Sequence, residues 1–318
     1  MDGVDVVGIG LRCLDVVLTM SEMPDWKQGG WVSDFRLQGG GPVGTALVAA
    51  SVLGARAGFI GTIGSDDIGT IKKKSLTDYG VDISRTILLP HPENQVAFVY
   101  VHEKSGERVF AQNAHMRDYP LGTGQLDRDY ITSARYLHLD GFYPQASTEA
   151  ARWMREAGRE VVLDMEKPKG ERIEPWMPEL LGLTDILICG EGGGRALTGI
   201  RDVYGAARAV LRMGPRVVVE TTGAKGCFTV TGREAFHTPA FEVRAVNTTG
   251  AGDVFHGAYI VGLLSGWDEK LTAVFSSAAS AITCTTLGGR NRIPTLHEVF
   301  GFLKDRKIEM PRGRLGHT

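Results

Sequence analysis

The residues best placed to do chemistry lie in Asn247-Thr-Thr-Gly-Ala-Gly-Asp-Val-Phe255, a glycine-rich turn that opens a run of small and apolar residues with the look of a helix. A Gly-Ala-Gly turn at a helix start leaves backbone N–H groups without intrahelical partners. Those groups and the helix dipole together favour an anion. Asp253 sits badly beside such a hole if holding an anion is all the turn does. Two readings fit. Asp253 either complements the dipole from near the N-cap, or it takes a hydroxyl proton while Gly250, Ala251 and Gly252 hold a phosphoryl group. A second carboxylate, Asp15, closes the first predicted strand. Ligands of open α/β sheets sit at strand carboxyl ends, and a carboxylate accepts two hydroxyl protons well. The bland alternative for Asp15 is a turn or cap. Asp140, before Gly141 at another strand end, is a further candidate for the same pocket.

Glycine is in excess, at 42 of 318 residues, or about 13% against a usual ~7%. The excess falls in clusters at strand–helix junctions: Gly39–Gly41, Gly61 and Gly64, Gly192–Gly194, Gly250 and Gly252, Gly288 and Gly289. Such clusters allow close backbone approach and suggest several loops converging on a ligand. Glu191-Gly-Gly-Gly194 is only superficially a phosphate loop, because no Gly-Lys-Ser/Thr follows. His256 stands three residues after Asp253, toward substrate or packed in the core. His138 reads as a satisfied core residue. No two histidines have metal-ligand spacing on one helix. Arg108 is either a solvated edge charge or a contact to an anionic group on a substrate. Arg290 and Arg292, after the Gly288-Gly289 loop, are candidates to meet a nucleotide.

The elements that must position these residues alternate. Apolar runs at 4–9, 57–60, 136–139, 161–163, 186–189 and 217–220 read as buried strands. Stretches at 42–53, 67–79, 148–157, 204–213, 251–264 and 269–286 read as helices, and 241–246 is strand-like. This alternation predicts an α/β fold, a central and mostly parallel sheet flanked by helices. Residues 31–37, 95–102 and 108–112 look like strands without intervening helices, with Lys104-Ser-Gly-Glu107 as a hairpin turn. They predict a small β-strand lid, built from about 12–38 and 91–116, on a single domain over 1–304, with 305–318 as a flexible tail. A lid over phosphate chemistry excludes water.

The chain is 43% hydrophobic and 23% charged, with a net charge of −2. That balance gives no electrostatic case for nucleic acid or for an anionic membrane. No apolar run is long enough for a membrane span. The start lacks a basic and apolar leader, and Cys13, Cys189, Cys227 and Cys284 are scattered like reduced thiols. A cytoplasmic address is the expectation.

With these motifs in view, the chain resembles the ribokinase-like (PfkB) carbohydrate kinases. Asn247–Phe255 is similar to the family's C-terminal signature D-T-x-G-A-G-D-x-F. Gly39-Gly-Gly-Pro-Val-Gly-Thr-Ala46 resembles G-G-x-x-x-N-x-A, Ile60–Gly69 resembles I-G-x-x-G-x-D-x-x-G, and Thr221-Thr-Gly-Ala-Lys-Gly226 resembles T-x-G-x-x-G. The four occur in the family's order. The resemblance implies Asp253 as the base, Gly250–Gly252 as the anion hole, and Asp15, Gly40 and Gly41 as acceptor contacts. It implies Thr221, Gly223, Gly226 and Gly288 beside ATP.

The departures from the pattern bear on the cofactors. The family's Asn in the N-terminal signature is Gly44 here, which leaves Thr45 as the replacement contact. The N-x-x-E motif that the family links to Mg2+ reads Gly190 and Gly193, so Glu191 is the acid left for the metal. The first Asp of the C-terminal signature is Asn247, which puts a monovalent cation in question. Asp253–Ala258, Cys284–Pro294 and the Gly-Gly-Gly-Pro start resemble the branch containing bacterial sulfofructose kinase. That enzyme's sulfonate lysine aligns near Gly29, two places from Lys27, and its arginine near Phe142, so sulfonate specificity is not carried over.

The expected activity is ATP-dependent, Mg2+-assisted phosphorylation of a hydroxyl on a small sugar or sugar derivative, in a homodimer joined through the lids. A nucleoside kinase and a non-catalytic sugar- or nucleotide-binding protein are the alternatives. An intact Gly-Ala-Gly-Asp argues against the binder.

Overall fold

The computed structural model describes residues 3–165, 173–286, 292–311 and 313. Its strands are β1 (Val6–Ile9), β2 (Leu14–Met20), β3 (Asp34–Gly39), β4 (Ala57–Ile60), β5 (Thr62–Ile63), β6 (Ile87–Leu88), β7 (Val96–His102), β8 (Arg108–Gln112), β9 (Tyr136–Leu139), β10 (Glu160–Met165), β11 (Ile186–Gly190), β12 (Val217–Thr221), β13 (Cys227–Thr231) and β14 (Ala235–Thr238). Its helices are α1 (Pro42–Val52), α2 (Asp67–Thr77), α3 (Arg128–Ser133), α4 (Pro144–Glu156), α5 (Met177–Gly182), α6 (Gly193–Thr198), α7 (Val203–Leu211), α8 (Ala251–Ser265), α9 (Glu269–Thr283) and α10 (Leu296–Asp305).

The main sheet runs β14-β13-β12-β11-β10-β9-β1-β4. Pairing is parallel from β4 to β12, and β13 and β14 add an antiparallel edge. The apolar runs have no polar side because both faces are covered. Strand periodicity sends Val6, Ile186, Ile188, Val217 and Val219 to a core shared with Leu47 of α1, Tyr259 of α8, Phe275 of α9 and Leu303 of α10. Their neighbours Val7, Leu187 and Val218 face a second core with Ile131 of α3, Met154 of α4, Leu180 of α5 and Val210 of α7. Alternate residues of the same strands thus feed two helix layers. Beyond α10, Ile308 and Met310 pack on the first core. Among the described residues no helix is long and apolar enough to cross a membrane.

A second sheet runs β3-β2-β7-β8. Here β2 pairs antiparallel with β3 and parallel with β7, and β7 pairs antiparallel with β8. The register opposes Asp15 to Gln38 and Ala97, Ala97 to Gln112, and Val101 to Arg108. Asp15, Ala97, Val99, Arg108 and Gln112 therefore share one face. Buried Asp15, Ala97 and Val99 mark it as the face toward the main body. The opposite face carries Phe35, Leu37, Phe98 and Val109, each at least 40% exposed.

At the root of this sheet lies a buried charged knot. The Lys72 ammonium on α2 is fully buried, 3.0 Å from the Glu93 carboxylate, and also donates to the Thr62 carbonyl and to Gln95 Oε1. The Gln95 amide in turn donates to the Tyr143 hydroxyl at 2.7 Å, which ties the start of β7 to the start of α4. Arg12, also fully buried, donates to the Gly40 carbonyl and to Ser75.

Some elements differ from the sequence reading. The helix predicted from 148 begins at Pro144, whose fixed φ suits the first helical position. Thr295 and Glu298 form a capping box that starts α10, a helix absent from the predicted set. The alternating segment 241–246 is not a strand. Pro239 closes β14, Phe241 packs edge-on against Phe302 of α10, and the Val246 amide donates to the Cys284 carbonyl.

Candidate active site

The turn before α8 is built by glycine. Gly250 is its N-cap, with φ 75° in the left-handed region, where a Cβ costs energy. The Asn247 side-chain oxygen accepts from the Thr249 amide at 2.8 Å and shapes the approach. Ala251 and Gly252 occupy the first turn with half-buried Asp253. Gly252 opens onto free space, with nothing within 4 Å of a built Cβ. The Ala251 amide donates to the Thr248 carbonyl at 3.3 Å; the other first-turn amides have no partner four residues back, so this turn still presents donors and a positive dipole end outward. Arg108, reaching from β8, donates to the Thr249 hydroxyl beside the turn.

The triple glycine before α1 is forced by contacts. A Cβ at Gly39 would fall on the Arg12 guanidinium, one at Gly40 would lie 2.2 Å from the Asp15 carboxylate, and one at Gly41 would lie 2.5 Å from the Leu11 carbonyl. Asp15 is thus held against backbone, 8% exposed, with Cys13 Sγ donating to it at 3.1 Å. Asp140, at the end of β9, accepts from the Leu11 amide with one oxygen and from the Phe142 amide with the other, both at 2.8 Å. Its carboxylate bridges the ends of two parallel strands. Residues 10–15 therefore link the two acids. Helices α1 and α8 touch at the backbone, since a Cβ on Gly257 would approach the Ala46 carbonyl at 2.3 Å. The two signature segments are joined in this way.

Beside them opens a cavity of about 590 Å³ whose wall includes Leu11, Asn113, Arg117, Asp140, Phe142 and Trp176. The Arg117 guanidinium lies over the Phe142 ring at 4.3 Å and donates to the Phe142 carbonyl. Of the expected acceptor contacts Asp140 is on this wall. Asp15, Gly40, Gly41 and Thr45 are not, and Thr45 is buried in α1.

A second set of loops gathers at the ends of β11 and β12. Thr221 closes β12 and donates to the Cys189 carbonyl at 3.3 Å. Thr222 donates to the Gly226 carbonyl at 2.9 Å across the Gly223–Lys225 turn. Gly226, at φ +95°, has the Thr238 carbonyl 2.1 Å from a built Cβ, so only glycine fits. Glu191 pairs with Lys225 at 3.0 Å, both exposed, and so couples the two loops. The sequence reading missed Glu220. Its buried carboxylate accepts from the Gly192 and Gly194 amides at 2.9 and 3.2 Å and is the acid facing the 190–194 turn. Its only sequence signal was its place next to Thr221. Gly288 and Arg290 lie outside the described residues, and Arg292 pairs with Glu298 at 3.0 Å.

The family described as pfkB family carbohydrate kinase matches residues 5–296. The chain belongs to that family, and its enzyme class is ATP-dependent carbohydrate kinase. It is similar to the ribokinase of Haemophilus influenzae, 30% identical over 282 residues that cover 85% of this chain and 89% of the relative. It is also similar to the ATP-dependent ribose-1-phosphate kinase of Halopiger xanaduensis, at 28% over 303 residues, 95% and 99% of the two chains. The solved ribokinase of Thermotoga maritima superposes with a TM-score of 0.82 at 26% identity, over 95% of this chain and 99% of that one.

Proposed function

We propose that this chain transfers the γ-phosphoryl group of ATP to a hydroxyl of a small sugar or sugar derivative, with Asp253 as general base and the amides of Gly250, Ala251 and Gly252 as the anion hole. The observation that carries this reading is the left-handed Gly250 turn, which opens amides outward with a carboxylate in the same helical turn. The acceptor hydroxyl gives its proton to Asp253, attacks the γ-phosphorus in line, and the amides carry the charge of the transferring group.

The acceptor lies between the two sheets, gripped by Asp15 and bordered by Gly40, Gly41 and Asp140, with Thr45 buried in α1 behind them. ATP lies along Thr221, Gly223, Gly226 and Gly288. Mg2+, when bound, neutralises phosphate charge. Glu220 is committed to two backbone amides and Glu191 to Lys225. These acids fit a cation that arrives on the nucleotide and meets Glu191 through water. The small sheet acts as the lid. Its outward apolar face, with Phe35, Leu37 and Phe98 exposed, pairs with that of a second copy, which gives a homodimer.

A nucleoside acceptor is the second reading, favoured by the aromatic wall of Phe142 and Trp176. Screening ATP turnover against sugars, sugar phosphates, sugar acids and nucleosides separates the two. Asp253→Asn then tests the base. General-base catalysis contributes roughly 10²–10⁴-fold, and kcat should fall by that factor with nucleotide affinity retained. Near-native kcat in Asp253→Asn removes the assignment, and full activity in EDTA removes the metal.

A further inference from the structure

Beneath the site lies a cluster that the reaction does not use. His138 on β9, Asp164 on β10 and His256 on α8 are all buried, and one ligand atom from each lies within 4.8 Å of the others. His138 Nδ1 is 3.3 Å from the Val162 carbonyl. A carbonyl oxygen can only accept, so Nδ1 carries the proton and Nε2 is a bare lone pair. That Nε2 is fully buried with no partner among the described residues. His256 Nε2 is 3.6 Å from Asp164 Oδ1. Buried lone pairs without a partner are uncommon and ask for an explanation.

We propose that His138, His256 and Asp164 form a binding site for a divalent transition ion of the zinc class, separate from the magnesium that accompanies ATP. Two imidazoles and one carboxylate suit Zn2+, Co2+ or Fe2+ and do not suit Mg2+, which prefers oxygen ligands and retained water. Zinc bonds of about 2.0–2.2 Å place tetrahedral ligand atoms roughly 3.4 Å apart. The 3.6 Å pair is already at that spacing, and side-chain rotation draws in the third atom. The Val162 carbonyl is the outer partner that orients His138, as such ligands commonly require. His256 is one helical turn from Asp253 and His138 is two residues from Asp140, so the ion clasps α8 to the strand bearing the cavity wall. Its role is to fix the distance between the two.

The test uses the full chain, stripped with a chelator and titrated with Co2+. The expected result is one Co2+ per chain with the visible bands of a low-symmetry site, displaced by Zn2+, and a melting temperature raised by Zn2+ in the absence of ATP. His138→Asn and His256→Asn should each weaken Co2+ binding by at least about 100-fold, since even outer partners are worth 10–100-fold. Anomalous scattering from a Zn2+-soaked crystal should place the ion among the three side chains, and this reading survives if either variant fails to fold. No such band in the folded wild-type chain, or a water at that position in the soaked crystal, overturns the site. So does binding unchanged in a folded His138→Asn. None of these readouts depends on the kinase reading, so either can fail alone.

Discussion

Arg108 of the small sheet donates a hydrogen bond to Thr249, 141 residues further along the chain and one residue before the turn that opens α8. The guanidinium is partly desolvated, which pushes its pKa down, and its Nε is buried without a partner among the described residues. A cation thus reaches from the small sheet to the edge of the proposed anion hole.

Arg108→Ala should therefore act on turnover. Hydrogen bonds to charged groups are worth about 1.5–3 kcal/mol, or roughly 10–150-fold. We expect kcat to fall within that range while the KM for ATP stays near the native value. Steady-state kinetics with both substrates varied will decide it, and an unchanged kcat would separate Arg108 from the reaction.

Asp15→Ala should act on the acceptor. Its removal leaves sugar donors without a partner at about 1–3 kcal/mol, a rise of about 5–150-fold in acceptor KM. The ATP value should hardly move, because the nucleotide loops are built from β11 and β12. A rise in the ATP value alone would mean that the two subsites are exchanged.

The Lys72–Glu93 pair lies buried at the root of the small sheet. Removing one partner of a buried pair costs about 3–5 kcal/mol, so Lys72→Met should lower the urea midpoint strongly and Lys72→Met/Glu93→Gln should recover most of the loss. Burial pushes the Lys72 pKa down from 10.5 to about 8, against the pull of Glu93. Between those values the unfolded chain binds more protons than the folded one, so this group's contribution to stability rises with pH from about 8 to 10.5. Below about pH 8 it is constant. Urea midpoints at several pH values should show an extra rise in the wild type relative to the double variant. Parallel curves would assign the pH dependence elsewhere.

The exposed lid face predicts association. Phe98→Lys places a charge amid Phe35, Leu37 and Val109 and should convert a dimer to a monomer in sedimentation velocity. A wild-type chain that is monomeric at assay concentration contradicts the lid-paired dimer.

The sequence disclosed whatever is local. Buried strands such as β9 and β4 are short apolar runs, and the Gly250 turn and the Gly39–Gly41 run are contiguous. The alternation at 241–246 misled because a period of two describes any extended chain with one wet side, and Pro239 had already ended the pairing. β2 stayed hidden because its order rests on partners at 34–39 and 96–102. Glu220, the Arg108 bridge and the His138, Asp164 and His256 cluster are properties of packing between distant segments. No spacing along the chain encodes them.

The glycine at 193 is fixed by its neighbours. A Cβ there would sit 2.7 Å from both Cβ and Sγ of Cys189 and 3.1 Å from the Met165 methyl. Trimming Cys189 to alanine leaves its Cβ in place, so the obstruction outlasts that change. A side chain at 193 therefore requires the Cys189 backbone or α6 to shift, whichever residue with a Cβ stands at 189. The carboxylates that this turn does meet are Glu220, which accepts from the Gly192 and Gly194 amides, and Glu191, which pairs with Lys225 at the surface.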